Sequence, residues 1–440
     1  MSAPGAPVGP PRALRGTRDV LWPESARWEA FVATFAALAQ SAAYGLAQTP
    51  VIEDAAVFRR GIGETSDIVG KEMYEFEDRD GTMLALRPEG TASVVRAYLQ
   101  HRPVLPWKAW YVTPAFRHER PQAGRYRQHH QVGIEALGAA DPDLDVEVIW
   151  VADSFFRSLG LRRYTLSINS MGDPRCRPAY VVMLAEFLGG HADQLCEDHR
   201  RRVETNPMRV LDCKRPECRA VTEGVPRLVD HLCSDCAPHF ERVRSGLDAL
   251  GVEAILDHRL VRGFDYYTRT TFEFSSEAME AAQNGIGGGG RYDGLAEAMG
   301  GPSTPGVGFG IGIERVLLAC DAEGCFAAAP PPLDAYVIDL GDGTVARDLS
   351  VALRDAGLRV DRGFEQRSLK AQLKVADRSG ALVALIIGPE EAAAGTVSVR
   401  PLRGRGDQRA VPRPDVADVV REMRAESETR AESETKAGSS

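Results

Sequence analysis

The sequence predicts an α+β chain, with a strand-rich part, a helical block and a small, separate α/β domain. Three observations carry this. Lys108–Glu119 and Gln128–Gly138 alternate apolar and polar side chains and read as two antiparallel strands joined by a loop. Arg175–Gly251 reads as mostly helical. After a composition break at Ala327–Pro332 (AAAPPP), strand and helix patterns alternate to Met423, as in an α/β domain.

Length and composition bound the rest. The chain has 440 residues, 44% hydrophobic and 26% charged, enough for roughly three domains at about 150 residues each. This excludes a disordered, collagen-like or small disulfide-scaffold protein. Net charge is -9, with 53 Lys+Arg against 62 Asp+Glu. That total argues against holding nucleic acid by bulk electrostatics. Only six of the 53 cations are lysine, so arginine placement matters more than the sum. Met1–Arg12 is Pro, Gly and Ala without an apolar signal segment, and reads as a disordered tail. No run approaches the ~18 apolar residues of a membrane span. The expectation is a cytoplasmic chain without membrane contact, its eight cysteines reduced.

Along the chain, Trp22–Gly45 has helical spacing with Gly45 as C-cap. Lys71–Leu86 suggests paired strands turning near Asp80-Gly81. Thr91 is placed to N-cap a helix over Ala92–Gln100. From Asp257, strand-like patterns return up to a helix near Ile313. Beyond the break come strand Asp334–Leu340, helix Ala346–Ala356, strand Leu358–Val360, helix Leu369–Arg378, strands Leu382–Ile387 and Thr396–Pro401, and helix Asp415–Met423. The last 17 residues, 424–440, repeat RAESET and have no apolar face, so they read as a solvated, disordered tail.

Four segments carry chemistry. In the predicted strand pair, Trp110 and Val112 face one way with Val132 and Ile134. Arg117, Glu119, Gln131 and Glu135 face the other. Arg117–Arg127 holds four Arg and one Glu, +3, which suits a polyphosphate or else an ordinary solvated hairpin. Glycines at 306, 308, 310 and 312 leave one strand face bare. That face admits a flat ligand or permits tight sheet packing, and Arg315 follows it at a helix start. Leu260–Phe274 offers Arg262 beside Gly263, and adjacent Tyr266 and Tyr267 whose hydroxyls should point to opposite sides. Gly285–Leu295 contains a formal G-x-G-x-x-G, but no clear strand precedes it, so a Rossmann reading is rejected.

Two weaker signals complete the list. Cys213-x4-Cys218 and Cys233-x2-Cys236 either hold one structural zinc between them or are unligated thiols. Arg367, Lys370, Lys374 and Arg378 recur at helical spacing, within a stretch 359–378 carrying +3. The stripe is a solvated face or a phosphate contact.

Taken together, these segments resemble the class II aminoacyl-tRNA synthetases and, among them, the histidyl-tRNA synthetase family. RGTRD (Arg15–Asp19) is similar to its N-terminal signature, and Pro50 to the proline ending motif 1, a dimer element. Phe116–Glu135 resembles motif 2 and Gly306–Val316 motif 3. Leu260–Thr270 and Gly288–Leu295 resemble the two histidine-specific motifs, and Arg367–Ala381 the anticodon-binding domain. The resemblance runs from about Arg15 to Met423.

It implies a class II antiparallel sheet flanked by helices over 13–326, with a helical insertion at about 171–255. It also implies an anticodon-binding domain over 333–423. The implied partners are ATP with Mg²⁺, L-histidine, tRNA(His) and a second copy of the chain. The implied catalytic residues are Arg262 and Arg117, the latter on the α-phosphate. Glu119 would take the adenine amino group, Arg125 the terminal phosphates, and Arg315 would cover the nucleotide. Glu89, Thr91 and Gln131 would hold the α-amino group of histidine. Glu135 and Tyr267 would read its imidazole, with Tyr266 and Arg262 in the same site. His129 stands where the family's adenine-stacking phenylalanine is expected, and Pro401–Gln408 also departs from the family pattern. Arg367, Lys370, Lys374 and Arg378 would meet tRNA. No residue is assigned as a ligand of a catalytic metal.

Two rivals remain in view. A regulatory paralogue that only senses histidine typically lacks the anticodon domain and erodes the arginines, which are present here. A non-catalytic nucleic-acid-binding module leaves the bare glycine strand and the tyrosine pair unexplained.

Overall fold

A computed structural model describes residues 11–63, 68–280, 284–327, 332–364, 367–403 and 406–437, with side chains to 429. Outside the described residues lie 1–10 of the N-terminal tail, 328–331 of the Ala/Pro break, 404–405 of the Pro401–Gln408 stretch and 438–440. The chain divides into two compact units, 1–328 and 329–440.

The first unit is built on an eight-stranded sheet. Its order is Gly45–Leu46, Trp107–Phe116, Gln128–Leu137, Gly306–Gly312, Gly285–Arg291, Thr268–Ser276, Tyr164–Ser170 and Ile255–Leu256. The six long strands pair antiparallel and each two-residue edge strand pairs parallel. A three-stranded sheet, Ile52–Asp54, Met83–Leu86 and Tyr74–Glu77, stands apart.

One face of the large sheet is covered by helices. Pro142–Ser158 starts where Asp141 accepts a bond from the Asp143 amide at 2.9 Å, with Pro142 at the first helical position. It buries Val148, Ile149, Val151, Phe155 and Phe156. Glu24–Ser41 adds Phe31, Phe35 and Ala39, which pack with Val132, Ile134, Phe309 and Ile311 from the sheet. The expected Gly45 C-cap is corrected: the helix stops at Ser41, Ala43 takes the left-handed turn at φ 63°, and Gly45 opens an edge strand.

The G-x-G-x-x-G run, for which no preceding strand is clear from sequence, follows strand Thr268–Ser276 and is itself a central strand, Gly285–Arg291. Its neighbours sit too close for side chains. A Cβ on Gly289 would meet the Gly308 carbonyl oxygen at 2.0 Å and Phe309 Cα at 2.7 Å. Both are backbone atoms that cannot yield locally. Gly289→Ala is therefore expected to cost at least about 1–3 kcal/mol, as overpacking does, read as a lower urea midpoint. An unchanged midpoint would count against this close approach.

Between strands Tyr164–Ser170 and Ile255–Leu256 lie helices Arg177–Gly190, Glu197–Thr205, Pro216–Thr222 and Cys236–Ala249. In the second unit a five-stranded sheet runs Val360–Arg362, Ala335–Asp339, Val383–Ile387, Thr396–Pro401, Arg409–Pro412. The last strand was not expected, being four residues long and ending in proline. The tail differs too: helix Val416–Ala437 continues through the repeat. Ala, Glu and Arg favour helix, and Arg424 lies 3.8 Å from Glu428 one turn on and 3.5 Å from Asp334.

Candidate active site

The uncovered face of the large sheet floors a cleft of about 380 Å³. The bare glycine strand explains how. Gly310 and Gly312 line the cleft, and a Cβ at 312 would meet nothing. Gly306 and Gly308 instead allow tight packing, since a Cβ there would fall 2.3 Å from the Tyr292 ring and 1.9 Å from Glu135 Oε2. The two ends of the strand thus differ: Gly306 and Gly308 permit tight packing, while Gly310 and Gly312 leave the face bare toward the cleft.

Three arginines enter the cleft from separate elements. Arg117 follows strand Trp107–Phe116; its Nε donates to the Pro88 carbonyl at 3.0 Å, and its guanidinium lies 5.9 Å from the Phe264 ring. Arg262 comes from the loop after Leu260, held by Glu273 at 2.5 Å and lying 5.9 Å from the Tyr267 ring. Gly288 makes room beneath it, since a Cβ there would be 2.9 Å from its guanidinium. Arg315 stands in the first turn of helix Ile313–Glu323 and donates to the Gly124 and Gly285 carbonyls at 3.3 and 3.0 Å. Arg125 is exposed on the hairpin loop and pairs with Glu119 at 2.7 Å. That loop is braced by the N-terminal signature: the Gly16 carbonyl accepts from the Arg127 amide at 2.7 Å.

At the other end of the cleft, Glu89 accepts from the amides of Thr91 and Ala92 at 2.6 and 2.8 Å. Glu89, not Thr91, therefore caps helix Thr91–His101. The Thr91 hydroxyl donates instead to Glu135 at 2.6 Å. Gln131 lines the cleft with a buried Oε1 that has no protein partner. Tyr266 and Tyr267 both line it, their ring centres 4.6 Å apart. The expected opposite orientation fails because residues 260–267 form a loop, where strand alternation does not apply.

Glu135 also departs from expectation. It lies fully buried behind the cleft wall, accepting from Thr91, from Tyr292 at 2.5 Å and from Tyr111 at 3.4 Å. Burial pushes its carboxyl up to about 8, against the pull of those hydroxyls. His129 lines the cleft between the cations. Burial first, then Arg117, His130, Arg315 and Arg125, push its imidazole down to about 3, so the ring is neutral near pH 7. Of the twelve residues singled out from sequence for this site, all but Glu135 line one cleft.

Sequence reasoning missed the supporting groups Tyr111, Phe264, Glu273, Tyr292 and Glu314. Tyr111 shares the strand face of Arg117, a signal that alternation offered. Glu314 sits beside Arg315 and accepts from the His130 amide at 3.0 Å. The stripe Lys370, Lys374 and Arg378 is exposed on helix Leu369–Arg378, with Arg367 exposed just before it. The four cysteines 213, 218, 233 and 236 do not meet at one point, which corrects the single-zinc reading: they divide between two groups of donors.

Comparison with known proteins places these features. The sequence model described as an anticodon-binding domain matches residues 334–423. A glycine-floored, arginine-lined cleft on an antiparallel sheet, in one chain with such a domain, defines an aminoacyl-tRNA synthetase. The model described as Histidyl-tRNA synthetase matches residues 16–172 and 213–316. The chain is 49% identical over 416 residues to a Histidine--tRNA ligase of Rhodococcus erythropolis, covering 93% of this chain and 97% of the relative. It is 48% identical over 418 residues to one of Moorella thermoacetica, with 93% and 98% covered. The solved structure of apo S. aureus histidyl-tRNA synthetase superimposes with a TM-score of 0.78 at 33% identity, covering 93% of this chain and 99% of that one. The chain belongs to the histidyl-tRNA synthetase family.

Proposed function

We propose that the chain ligates L-histidine to tRNA(His) in two steps, with ATP as the activating substrate. A carboxylate oxygen of histidine attacks the α-phosphorus of ATP, the bond to the β-phosphate bridge breaks, and pyrophosphate leaves. A hydroxyl at the tRNA 3′ end then attacks the histidyl carbonyl, and AMP leaves. The observation that carries this reading is the convergence of Arg117, Arg262 and Arg315 on one cleft that also holds Glu89 and the Tyr266–Tyr267 pair.

The chemistry requires two anions to meet. Arg117 and Arg262 offset that repulsion from separate elements and hold an in-line approach. Their planar forks fit phosphate and carboxylate oxygens. Arg125 takes the terminal phosphates, Arg315 covers the nucleotide and Glu119 accepts from the adenine amino group. Mg²⁺, arriving with the ATP, would offset negative charge on its phosphates. Glu89, Thr91 and Gln131 surround the α-amino group. Tyr267 meets the imidazole, flanked by Tyr266. Glu135 acts on it through the Thr91 and Tyr111 hydroxyls at the cleft wall.

The catalytic part spans 13–326, with the insertion at 171–255. Residues 333–423 bind the anticodon arm, with Arg367, Lys370, Lys374 and Arg378 contacting phosphates, so tRNA binding weakens with salt. The working form is a cytoplasmic homodimer. Exposed Leu46, Ile52, Met83 and Val104, apolar side chains near the motif 1 strands, support it.

The test is amino-acid-dependent exchange of pyrophosphate into ATP, run with all twenty amino acids, then histidine transfer to tRNA(His). Histidine alone should support exchange; no exchange, or exchange with another amino acid only, overturns the proposal. His129 adds a pH signature. Its neutral ring stacks on adenine, so KM for ATP should stay flat from pH 6 to 8, and His129→Phe should shift it only a few-fold. A step near 6.5 that the Phe variant removes would count against this placement. The same depressed pKa makes stability fall with acid. The unfolded ring gains its proton below about 6.5 while the folded ring resists to about 3.

A further inference from the structure

The cysteines of the insertion are not used by the proposed chemistry, and their arrangement points elsewhere. Cys196, His199, Cys213 and Cys218 form one group, and Asp173, Cys176, Cys233 and Cys236 another. Within each group the four donor atoms lie within 4.8 Å of one another. A tetrahedral ion with bonds of about 2.3 Å to sulfur sets its thiolates about 3.8 Å apart, so the packing suits one ion per group.

Local structure brings the donors together in pairs. Cys196 precedes helix Glu197–Thr205, and His199 lies in its first turn, Nδ1 3.0 Å from Cys196 Sγ. Cys213 and Cys218 approach from the turn before helix Pro216–Thr222 and from that helix; Cys218 Sγ accepts from the Cys196 amide at 3.2 Å. In the second group, Cys176 precedes helix Arg177–Gly190 and Cys236 begins helix Cys236–Ala249. The Asp173 carboxylate lies 3.5 Å from Cys176 Sγ and 3.7 Å from Cys233 Sγ. Cys176, Cys196, Cys213, Cys218, Cys236 and Asp173 are all buried, and no disulfide joins the cysteines.

We propose that each group holds one structural Zn²⁺, so that the insertion carries two. Thiolate-rich, four-donor sets favour zinc, and four protein ligands leave no open position for catalysis. Binding releases the thiol protons and leaves excess negative charge around each ion. Arg175, 3.1 Å from Asp173, offsets it at the second site. The ions join helices that are short on their own: Pro216–Thr222 has seven residues and Glu197–Thr205 nine. The histidyl-tRNA synthetase model leaves 173–212 unmatched, the stretch that supplies half the donors of each site.

The test uses the full chain, without a histidine tag, purified without added zinc. Elemental analysis should find about two zinc per chain, and Cys218→Ser and Cys236→Ser should each remove one. One zinc or none overturns the proposal, as does a disulfide among the six cysteines in non-reducing peptide mapping. Should the variants fail to fold, a mercurial thiol reagent titrated into the wild type should release two zinc to a colorimetric chelator. Protein grown on Co²⁺ should show thiolate charge-transfer and tetrahedral d–d bands; octahedral cobalt spectra would also overturn it.

Discussion

Arg262→Ala is expected to lower histidine-dependent pyrophosphate exchange by about 10²–10³-fold while the protein stays folded. The magnitude is that of removing one preorganised donor aimed at developing charge in a site shielded from water. The geometry shows why no neighbour can substitute. Glu273 fixes the guanidinium from one side at 2.5 Å, Tyr267 lies beside it, and Gly288 leaves the space beneath it empty. Arg117 and Arg315 are tied to the Pro88, Gly124 and Gly285 carbonyls. Arg262→Lys should recover only part of the loss, since it restores charge but not the fork. The loss should appear in kcat more than in KM for ATP, because the donor matters most where the two anions meet. Near-normal exchange in a folded Arg262→Ala protein would remove the residue from catalysis.

Much of this cleft is legible in the sequence, for a simple reason. Strand alternation assigns side chains to faces without three-dimensional information. It puts Arg117, Gln131 and Glu135 on the side opposite Trp110, Val132 and Ile134, and the latter three pack in the core. Depth within a face is another matter. Glu135 shares the face of Gln131, yet the Thr91 and Tyr111 hydroxyls bond it at the cleft wall, and alternation assigns a face without saying which side chain on it lies deeper. Alternation also fails off the strands, which is why Tyr266 and Tyr267 turn to the same side. The central glycine strand was hidden because strand propensity is read from branched and aromatic side chains, and a run kept bare for close packing has none. Cysteine spacing misled for a related reason. The nearest pairs in sequence, 213/218 and 233/236, belong to different groups, and their partners lie before residue 200.

Arg291→Ala is expected to produce the largest loss of stability, about 3–5 kcal/mol, as when one partner leaves a buried ion pair. Arg291 ends the central glycine strand and is fully buried, as is its partner Asp145 on helix Pro142–Ser158. Its Nε donates to Asp145 at 3.0 Å, and its terminal nitrogens reach the Ala139 and Asp141 carbonyls at 3.1 and 3.2 Å. Removing it leaves a buried carboxylate with His239 3.8 Å away. Burial holds that imidazole below its ordinary pKa, so it offers little positive charge in return. The double replacement Arg291→Met with Asp145→Leu should recover most of the loss, because it removes both desolvated charges together. Urea unfolding of the two single variants and the double one checks this. A single variant within about 1 kcal/mol of wild type would mean that water reaches Asp145, contrary to its burial. Equal losses in the single and double variants would place the cost in the carbonyl bonds of Arg291, and not in the pair. The site also depends on the outcome. Tyr292 follows Arg291 directly and donates to Glu135 at 2.5 Å. A slackened strand end should therefore raise KM for histidine before the chain unfolds.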